Sequence, residues 1–536
     1  MEPNKRHRGP ASPIVHLVVD PGSPVPMYRQ VYEGLRDAIL SGRLARGARL
    51  PSSRALATDL GVARNTVLQA FDQLRSEGYL HGRRGGGTRA REVIPDSLLT
   101  VPRAAKRGVA KAPTRRTETS TGTDASRVGQ SASPRISRRG RTLVTSGAML
   151  IRAEGPHVPF ELGVPAHDAF PRRLWGQLAG RRWRRGDVDL GELDPAGNAA
   201  LRAAIADYLA TARGVRCTAQ QVFVLNGAQQ ALHLVAQLLL DPGDRVWLEE
   251  PGYVGARVAF EAAGARLAPV PVDDDGLDVS AGIRLAPDAR LAYVTPSHQF
   301  PLGVVMSASR RLQLLDWARA NGAWIFEDDY DSEFRYTGRP LPCMQGLEAE
   351  RSDGSSPRVL YVGTFSKTLV SGLRLGYMVV PDALIDPFRA ARSTVDRHTP
   401  TIYQQVLADF IGEGHYFRHI RHVRSLCAER QAALVEAAAT RLDGLLHLRA
   451  DPAGLHLVGR LAPGISDVDA QRAAMERGVR SWALSKFYVG DAPAAGALVL
   501  GFGGFGVWVI GEGVGVLAEV QAGVNRDQSR GSHTVP

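Results

Sequence analysis

From Pro26 onward apolar residues recur at helical spacing, with Tyr28, Val31, Leu35, Ile39 and Leu40 marking a helix that stops at Ser41-Gly42. Leu50-Pro51-Ser52-Ser53-Arg54 reads as a turn in which Ser52 or Ser53 caps a second helix carrying Leu56, Ala57 and Leu60. Gly61 breaks that helix. Ala63-Arg64-Asn65-Thr66 opens a third, with Val67, Ala70, Phe71 and Leu74 on its apolar face. Gly78-Tyr79-Leu80 and Gly85-Gly86-Gly87-Thr88 predict two short strands around a basic loop that holds Arg83 and Arg84. Residues 1–25, apart from the apolar run Ile14–Val19, are expected to be flexible, as are 523–536. Between 93 and 147 large apolar residues nearly vanish amid Ser, Thr, Pro, Ala and Arg, which predicts a basic disordered linker.

Beyond that linker the texture changes. Apolar runs at Val222–Leu225, Arg245–Leu248, Arg290–Thr295, Ala323–Glu327 and Val359–Val362 alternate with helical stretches. One such stretch opens at Asn226-Gly227-Ala228-Gln229-Gln230. Alternation of this kind predicts an α/β domain over 148–522, its parallel or mixed sheet covered on both faces. Ala492–Gly511 carries no charge, yet its glycines and a proline divide it into the β-like runs Ala497–Leu500 and Val507–Ile510. Buried strands fit that pattern better than a membrane span.

Charge divides the chain the same way. Residues 1–141 hold 26 Lys+Arg against 11 Asp+Glu, whereas the remaining 395 residues hold 40 against 43. The whole basic excess therefore lies in the N-terminal quarter, as expected of a nucleic-acid-binding arm on a neutral body. Three widely spaced cysteines, Cys217, Cys343 and Cys427, suggest neither a disulfide framework nor a metal site and point to a reducing, cytoplasmic setting. The first residues show no signal peptide.

Two helices joined by a glycine turn, the second of them opening with Arg-Asn-Thr, and then a basic hairpin make a winged helix-turn-helix over 26–92. Its candidate DNA contacts are Ser52, Arg54, Arg64, Asn65, Thr66, Arg83 and Arg84, the helix residues for base edges and the wing arginines for phosphates. Through Leu50-Pro51-Ser52-Ser53-Arg54-Ala55-Leu56-Ala57, Gly61-Val62-Ala63-Arg64-Asn65-Thr66-Val67 and Glu77-Gly78-Tyr79-Leu80 the segment resembles the GntR family of DNA-binding domains.

In the large domain the lysine of Gly363-Thr364-Phe365-Ser366-Lys367 stands among small and hydroxyl residues, with Arg374 following in a glycine-rich turn. That suits an amine forming a Schiff base with a phosphorylated aldehyde. A phosphate wants N–H groups where a helix begins, as at Gly227-Ala228-Gln229. A pyridine ring wants an aromatic face, such as Tyr253, and a carboxylate at its nitrogen, such as Asp328 in Glu327-Asp328-Asp329-Tyr330-Asp331. These motifs, with Thr295–Gly303 and Gly363–Tyr377, resemble fold-type I pyridoxal-phosphate (PLP) aminotransferases, and the whole chain resembles the MocR/GabR family of chimeric regulators. The resemblance implies that Lys367 links to PLP, Asp328 meets the pyridine nitrogen, Tyr330 the ring oxygen and Tyr253 the ring face. Ala228, Gln229, Ser366 and Arg374 would form the phosphate cup.

Three departures bear on activity. Phe300-Pro301-Leu302-Gly303 lacks the asparagine common in aminotransferases, and Val499-Leu500-Gly501-Phe502-Gly503 lacks the arginine that grips a substrate carboxylate. The motif that often sends an aromatic across the dimer reads Glu192-Leu193-Asp194-Pro195-Ala196-Gly197. Cofactor binding is expected to survive these changes, efficient turnover is not. The favoured reading is a PLP-responsive, homodimeric, bacterial transcription regulator that binds a DNA operator and a small effector, PLP itself with an amino acid or amine as a further candidate. The alternatives are an active aminotransferase with a DNA-binding head, and a protein for cofactor storage or delivery.

Overall fold

The computed structural model describes residues 17, 19–45, 47–83, 87–91, 136–147, 155–189, 191, 194–338, 342–351 and 356–531. The chain divides into two compact units, Met1–Val128 and Gly129–Pro536.

In the first unit, helices α1 (Met27–Leu40), α2 (Ser53–Leu60) and α3 (Arg64–Ser76) follow the apolar periodicity. Ser52 is the cap of α2, its Oγ accepting from the Ala55 N–H at 3.2 Å. Gly61 ends α2 in the left-handed region at φ 66°, which lets the chain turn at once into α3. Val31, Leu35, Leu56, Val67, Phe71 and Leu74 form one core, and Leu17 and Val19 pack against it. Those two residues belong to the apolar run Ile14–Val19 that was set apart from the flexible N-terminus, and their side chains anchor them to the helices.

Strands β1 (Leu80–Arg83) and β2 (Gly87–Ala90) pair antiparallel as a wing. β1 starts two residues later than expected, and Gly85-Gly86, where the second strand was expected to begin, lie outside the described residues. Tyr79 and Leu80 are buried, which sets where the hairpin leaves the core. Arg83 therefore sits on β1 rather than in the loop, and Arg84 lies outside the described residues. Arg75 on α3 donates to Thr88 Oγ1 on β2 at 2.8 Å, fastening the wing to the helix.

The second unit begins with a departure from expectation. The helix Arg138–Gly147 occupies the end of the predicted disordered linker. It packs on the helix Val254–Ala263, where Ser146 Oγ donates to Glu261 Oε2 at 2.8 Å. Tertiary contact supplies what its polar composition does not.

Eight strands then form one sheet: β3 (Val222–Leu225), β4 (Arg245–Glu250), β5 (Arg266–Asp273), β6 (Gly276–Leu277), β7 (Leu291–Val294), β8 (Trp324–Asp329), β9 (Val359–Thr364) and β10 (Gly376–Val379). Their order is β3-β10-β9-β8-β7-β4-β5-β6. Strands β4, β5, β7, β8 and β9 are parallel, while β10 is antiparallel to both β9 and β3. Strand β3 consequently points the same way as β9. Every residue of β3, β7, β8 and β10 is buried, as expected of a sheet covered on both faces.

A smaller antiparallel sheet, in the order β11-β12-β14-β13, follows: β11 (Leu446–Leu448), β12 (His456–Leu461), β13 (Trp482–Ala483) and β14 (Ala497–Gly501). The expected strand Val507–Ile510 is instead the first turn of a helix, Val507–Gly531. Ile510, Val514 and Leu517 are fully buried at helical spacing, a period that a four-residue run cannot display. That helix also continues past residue 522, where a flexible tail was expected. No helix among the described residues is long and apolar enough to cross a membrane.

Removing the α2 cap with Ser52→Ala is expected to destabilise the first unit by about 1 kcal/mol. Faster native-state hydrogen exchange of the α2 amides is the measurement that checks it.

Candidate functional site

The pleat of β8 sorts the acidic run Glu327-Asp328-Asp329. Successive side chains leave a strand on opposite faces, so Glu327 and Asp329 go one way and Asp328 goes the other. Glu327 accepts the backbone N–H groups of Met344 (2.8 Å) and Gln345 (3.0 Å) at the start of the helix Met344–Glu350. Asp329 pairs with Arg213 Nε at 2.8 Å and accepts from Ser332 Oγ and the Tyr361 hydroxyl. Asp328 shares its face with Phe326 and, on β7, Tyr293, whose hydroxyl donates to Asp328 Oδ2 at 2.8 Å. Its other oxygen, Oδ1, is buried with no hydrogen-bond partner. Asp329 and Asp331 also keep one unpartnered oxygen each, but each of them has a cationic partner within 3 Å. Burial raises the Asp328 carboxyl from 3.8 to about 7, against the hydroxyl bond from Tyr293.

Topology gathers the rest. Ligand sites in α/β sheets open at the carboxyl ends of the strands. Asp328 is near the end of β8, Lys367 lies just beyond β9, Tyr253 just beyond β4, and Ala228 just beyond β3. Because β10 is antiparallel, its beginning meets that same edge, and this places Arg374 there. All eight predicted cofactor residues, Lys367, Asp328, Tyr330, Tyr253, Ala228, Gln229, Ser366 and Arg374, line one cavity of about 210 Å³.

Their environments differ. Lys367 Nζ donates to Gly163 O at 3.1 Å, and burial pushes its amine down from the usual lysine value despite Asp331 and Asp328. Gly163 has φ +77°, and a Cβ there would lie 2.6 Å from Lys367 Nζ, so only glycine leaves the amine its place. Arg374 Nη2 donates to Asn226 O at 2.8 Å, beside the N-terminus of the helix Ala228–Leu239. That terminus, the guanidinium and Ser366 line the same cavity, a donor-rich corner of the kind that suits an anion. Gln229 gives its side-chain amide to Gly255 O at 2.9 Å. Tyr253 stands edge-on to Phe300, with ring centroids 5.9 Å apart.

Other cavity features were not foreseen. Tyr293, Thr295, Phe300, Thr364, Leu162, Gly163, Leu455 and His456 also line it. Beneath Tyr330, His298 Nδ1 lies 3.1 Å from the tyrosine oxygen and 2.9 Å from Asp331 Oδ2, with Asp451 3.6 Å from Nε2. Burial opposes the charge on His298, but Asp331 and Asp451 outweigh it and push the imidazole up to about 10. As a cation His298 can only donate, so Tyr330 must send its own hydrogen elsewhere. His456, with its ring centroid 5.3 Å away, is pushed down to about 3 by burial and by the charge of His298. It is neutral, and its Nε2–H donates to Pro301 O at 3.0 Å. His298, Asp331 and His456 lie close enough to suggest a metal site, but an ion-paired imidazolium is not a ligand. Thr295, His298 and Phe300 stand within one sequence motif and could have been singled out; the segments bearing Gly163 and Leu455 gave no signal.

Strand β14, where an arginine would serve a carboxylate, instead brings Val499 into an apolar cluster with Val254, Val258 and Phe487. On the first unit, Arg54, Arg64 and Asn65 are exposed and Thr66 is half-buried in the opening turn of α3. Ser52 is exposed and already occupied as a cap.

Residues 27–89 match the bacterial regulatory proteins of the gntR family, and residues 187–496 match aminotransferase class I and II. A probable rhizopine catabolism regulatory protein, MocR, of Rhizobium meliloti is 40% identical over 94% of this chain and 95% of its own. The pyridoxine biosynthesis transcriptional regulator PdxR of Corynebacterium glutamicum is 30% identical over 91% and 94%. This chain belongs to the MocR family of chimeric transcription regulators. Among solved structures, LysN of Thermus thermophilus, an α-aminoadipate aminotransferase complexed with N-(5'-phosphopyridoxyl)-L-leucine, superposes with a TM-score of 0.63. It is 27% identical and spans 73% of this chain and 96% of its own. Like other MocR-family chains, this one joins a GntR winged helix-turn-helix to an aminotransferase fold.

The unmatched Asp328 gives a stability signature. Its folded pKa is raised, so the stability it contributes is present below 3.8 and lost as pH rises through about 7. Asp328→Asn is therefore expected to stabilise the cofactor-free protein, with a gain that grows across that window and then levels off. Chemical denaturation of both proteins across the same pH range checks it.

Proposed function

We propose that this regulator uses PLP as its signal: the large unit holds the cofactor, and its occupancy changes how the winged heads engage an operator. The observation that carries this reading is the buried Asp328 Oδ1, unpartnered on a cavity wall that also presents a lysine amine and an anion-binding corner. A protonated pyridine nitrogen supplies the partner that oxygen lacks. Bound PLP contributes an aldehyde able to link to amines and a ring able to delocalise electrons.

The chain's own residues would divide the work. Lys367, its amine held below the usual lysine value, is the nucleophile for the aldehyde carbon. Asp328 keeps the ring nitrogen protonated, Tyr330 meets the ring oxygen, and Tyr253 covers the ring face. Ala228, Gln229, Ser366 and Arg374 enclose the phosphate. On the first unit, Arg64, Asn65 and Thr66 open the helix that reads DNA, while Arg54, Ser52, Arg83 and Arg84 approach the backbone.

Two further points belong to the same reading. The large units pair as a homodimer, which gives two heads and a two-part operator. For PLP to regulate, its affinity must differ between the two head arrangements. An active aminotransferase remains the second reading, favoured by the cavity itself; Val499 in place of a carboxylate-binding arginine counts against it.

Lys367→Ala is expected to abolish the near-visible absorbance band of lysine-bound PLP; a band of undiminished strength would assign the linkage to another lysine. Arg64→Ala is expected to cost about 1–3 kcal/mol of specific binding and relax specificity at one operator position. Equal weakening on every sequence, read by titration of labelled duplexes at fixed salt, would make Arg64 a phosphate contact instead.

A further inference from the structure

We propose that the ligand this cavity admits beside its cofactor is a primary amine without a carboxylate, in preference to the matching α-amino acid. The inference rests on the PLP reading above and narrows it.

The cavity has a polar side and an apolar side. Two cationic residues line it among the described residues, Lys367 and Arg374. Lys367 is the group a carbonyl would occupy, and Arg374 is bound to Asn226 O at the anion corner, where the phosphate goes. The titratable group on the remaining wall, His456, is pushed down to about 3 and gives its Nε2–H to Pro301. A neutral imidazole offers a carboxylate no charge.

The rest of that wall is Leu162, Phe300 and Leu455. Behind Leu162 and Phe300 lies a single apolar cluster of Val254, Val258, Phe487 and the fully buried Val499. A carboxylate turned to this side loses its water and meets hydrocarbon, with no cation among the described residues that line this wall to compensate it. An alkyl or aryl group turned to the same side is stabilised by burial. The amino group does not need a charged partner, because it can exchange with Lys367 for the aldehyde carbon. The carbon–nitrogen double bond to Lys367 is replaced by one to the neutral incoming amine, and both N–H protons of that amine end on the lysine nitrogen, which leaves as a neutral amine. Nothing is oxidised or reduced.

The test loads the full-length protein with PLP and titrates it with isopentylamine against leucine, and with phenethylamine against phenylalanine. Each pair shares a side chain and differs by the carboxylate, and each is compared at equal free-base concentration. The change in the lysine-bound absorbance band and calorimetric binding are read together. The amines are expected to bind about 100-fold more tightly than the amino acids, the scale set by leaving one buried charge unpaired. Leu162→Arg, which adds a cation on the half-buried part of the wall, is expected to shrink that ratio at least about tenfold. Equal or tighter binding of the amino acids overturns the proposal, as does an intact band that responds to no amine. An unchanged ratio in the Leu162→Arg protein also counts against it. Failure to form the lysine-bound band at all overturns the PLP reading itself, and so is told apart from failure of the ligand class.

Discussion

A carboxylate held out of water without a matching cation organises the large unit. Asp328 reaches this state because a β-strand sends alternate side chains to opposite faces, which separates it from Glu327 and Asp329. Its neighbours in the run use their charges structurally, one on the N-terminus of a helix and one on Arg213. Asp328 alone is directed into the cavity with an oxygen to spare. Such a group is destabilising while it lacks a cationic partner and becomes stabilising when one is supplied, which makes binding and stability two aspects of one interaction.

Around that carboxylate the sheet acts as a collecting device. Parallel strands present their carboxyl ends at one edge, and antiparallel β10 presents its beginning there, so loops far apart in the chain converge. The His298–Asp331–Asp451 group beneath Tyr330 then fixes a positive charge below the cavity, which helps to keep His456 neutral above it. Charge is thus confined to the lysine, the anion corner and the floor. The wall backed by Val499 is left apolar, and the aromatic side chain of Phe300 extends it.

The first unit is held together by more local means. Its helices are short; capping by Ser52 and the left-handed Gly61 set the turn into α3, and the Arg75–Thr88 bond holds α3 against the wing. Its basic surplus is long-ranged and suits a polyanion, whereas the large unit is close to neutral overall. The helix Arg138–Gly147 docks on the helix that begins immediately after Tyr253.

Much of this was legible in the amino-acid sequence because it is encoded over short distances. Helical periodicity, the Ser52 cap, the Gly61 stop and the motifs around Lys367, Asp328, Arg374, Tyr253 and Ala228 each lie within a few residues, and the eight cofactor residues expected from these motifs and the resemblance they carry all line the cavity. Where local pattern was too short or too polar it misled, as at Val507–Ile510 and Arg138–Gly147, whose helices depend on packing partners elsewhere in the chain. Only the tertiary structure decided which strands are neighbours, that Gly163 closes on Lys367, that His298 and His456 take opposite protonation states, and that Val499 backs an apolar wall. Those features are set by groups that meet across long stretches of sequence, where burial and the field of a distant neighbour outweigh anything the residue's own surroundings in the chain can express.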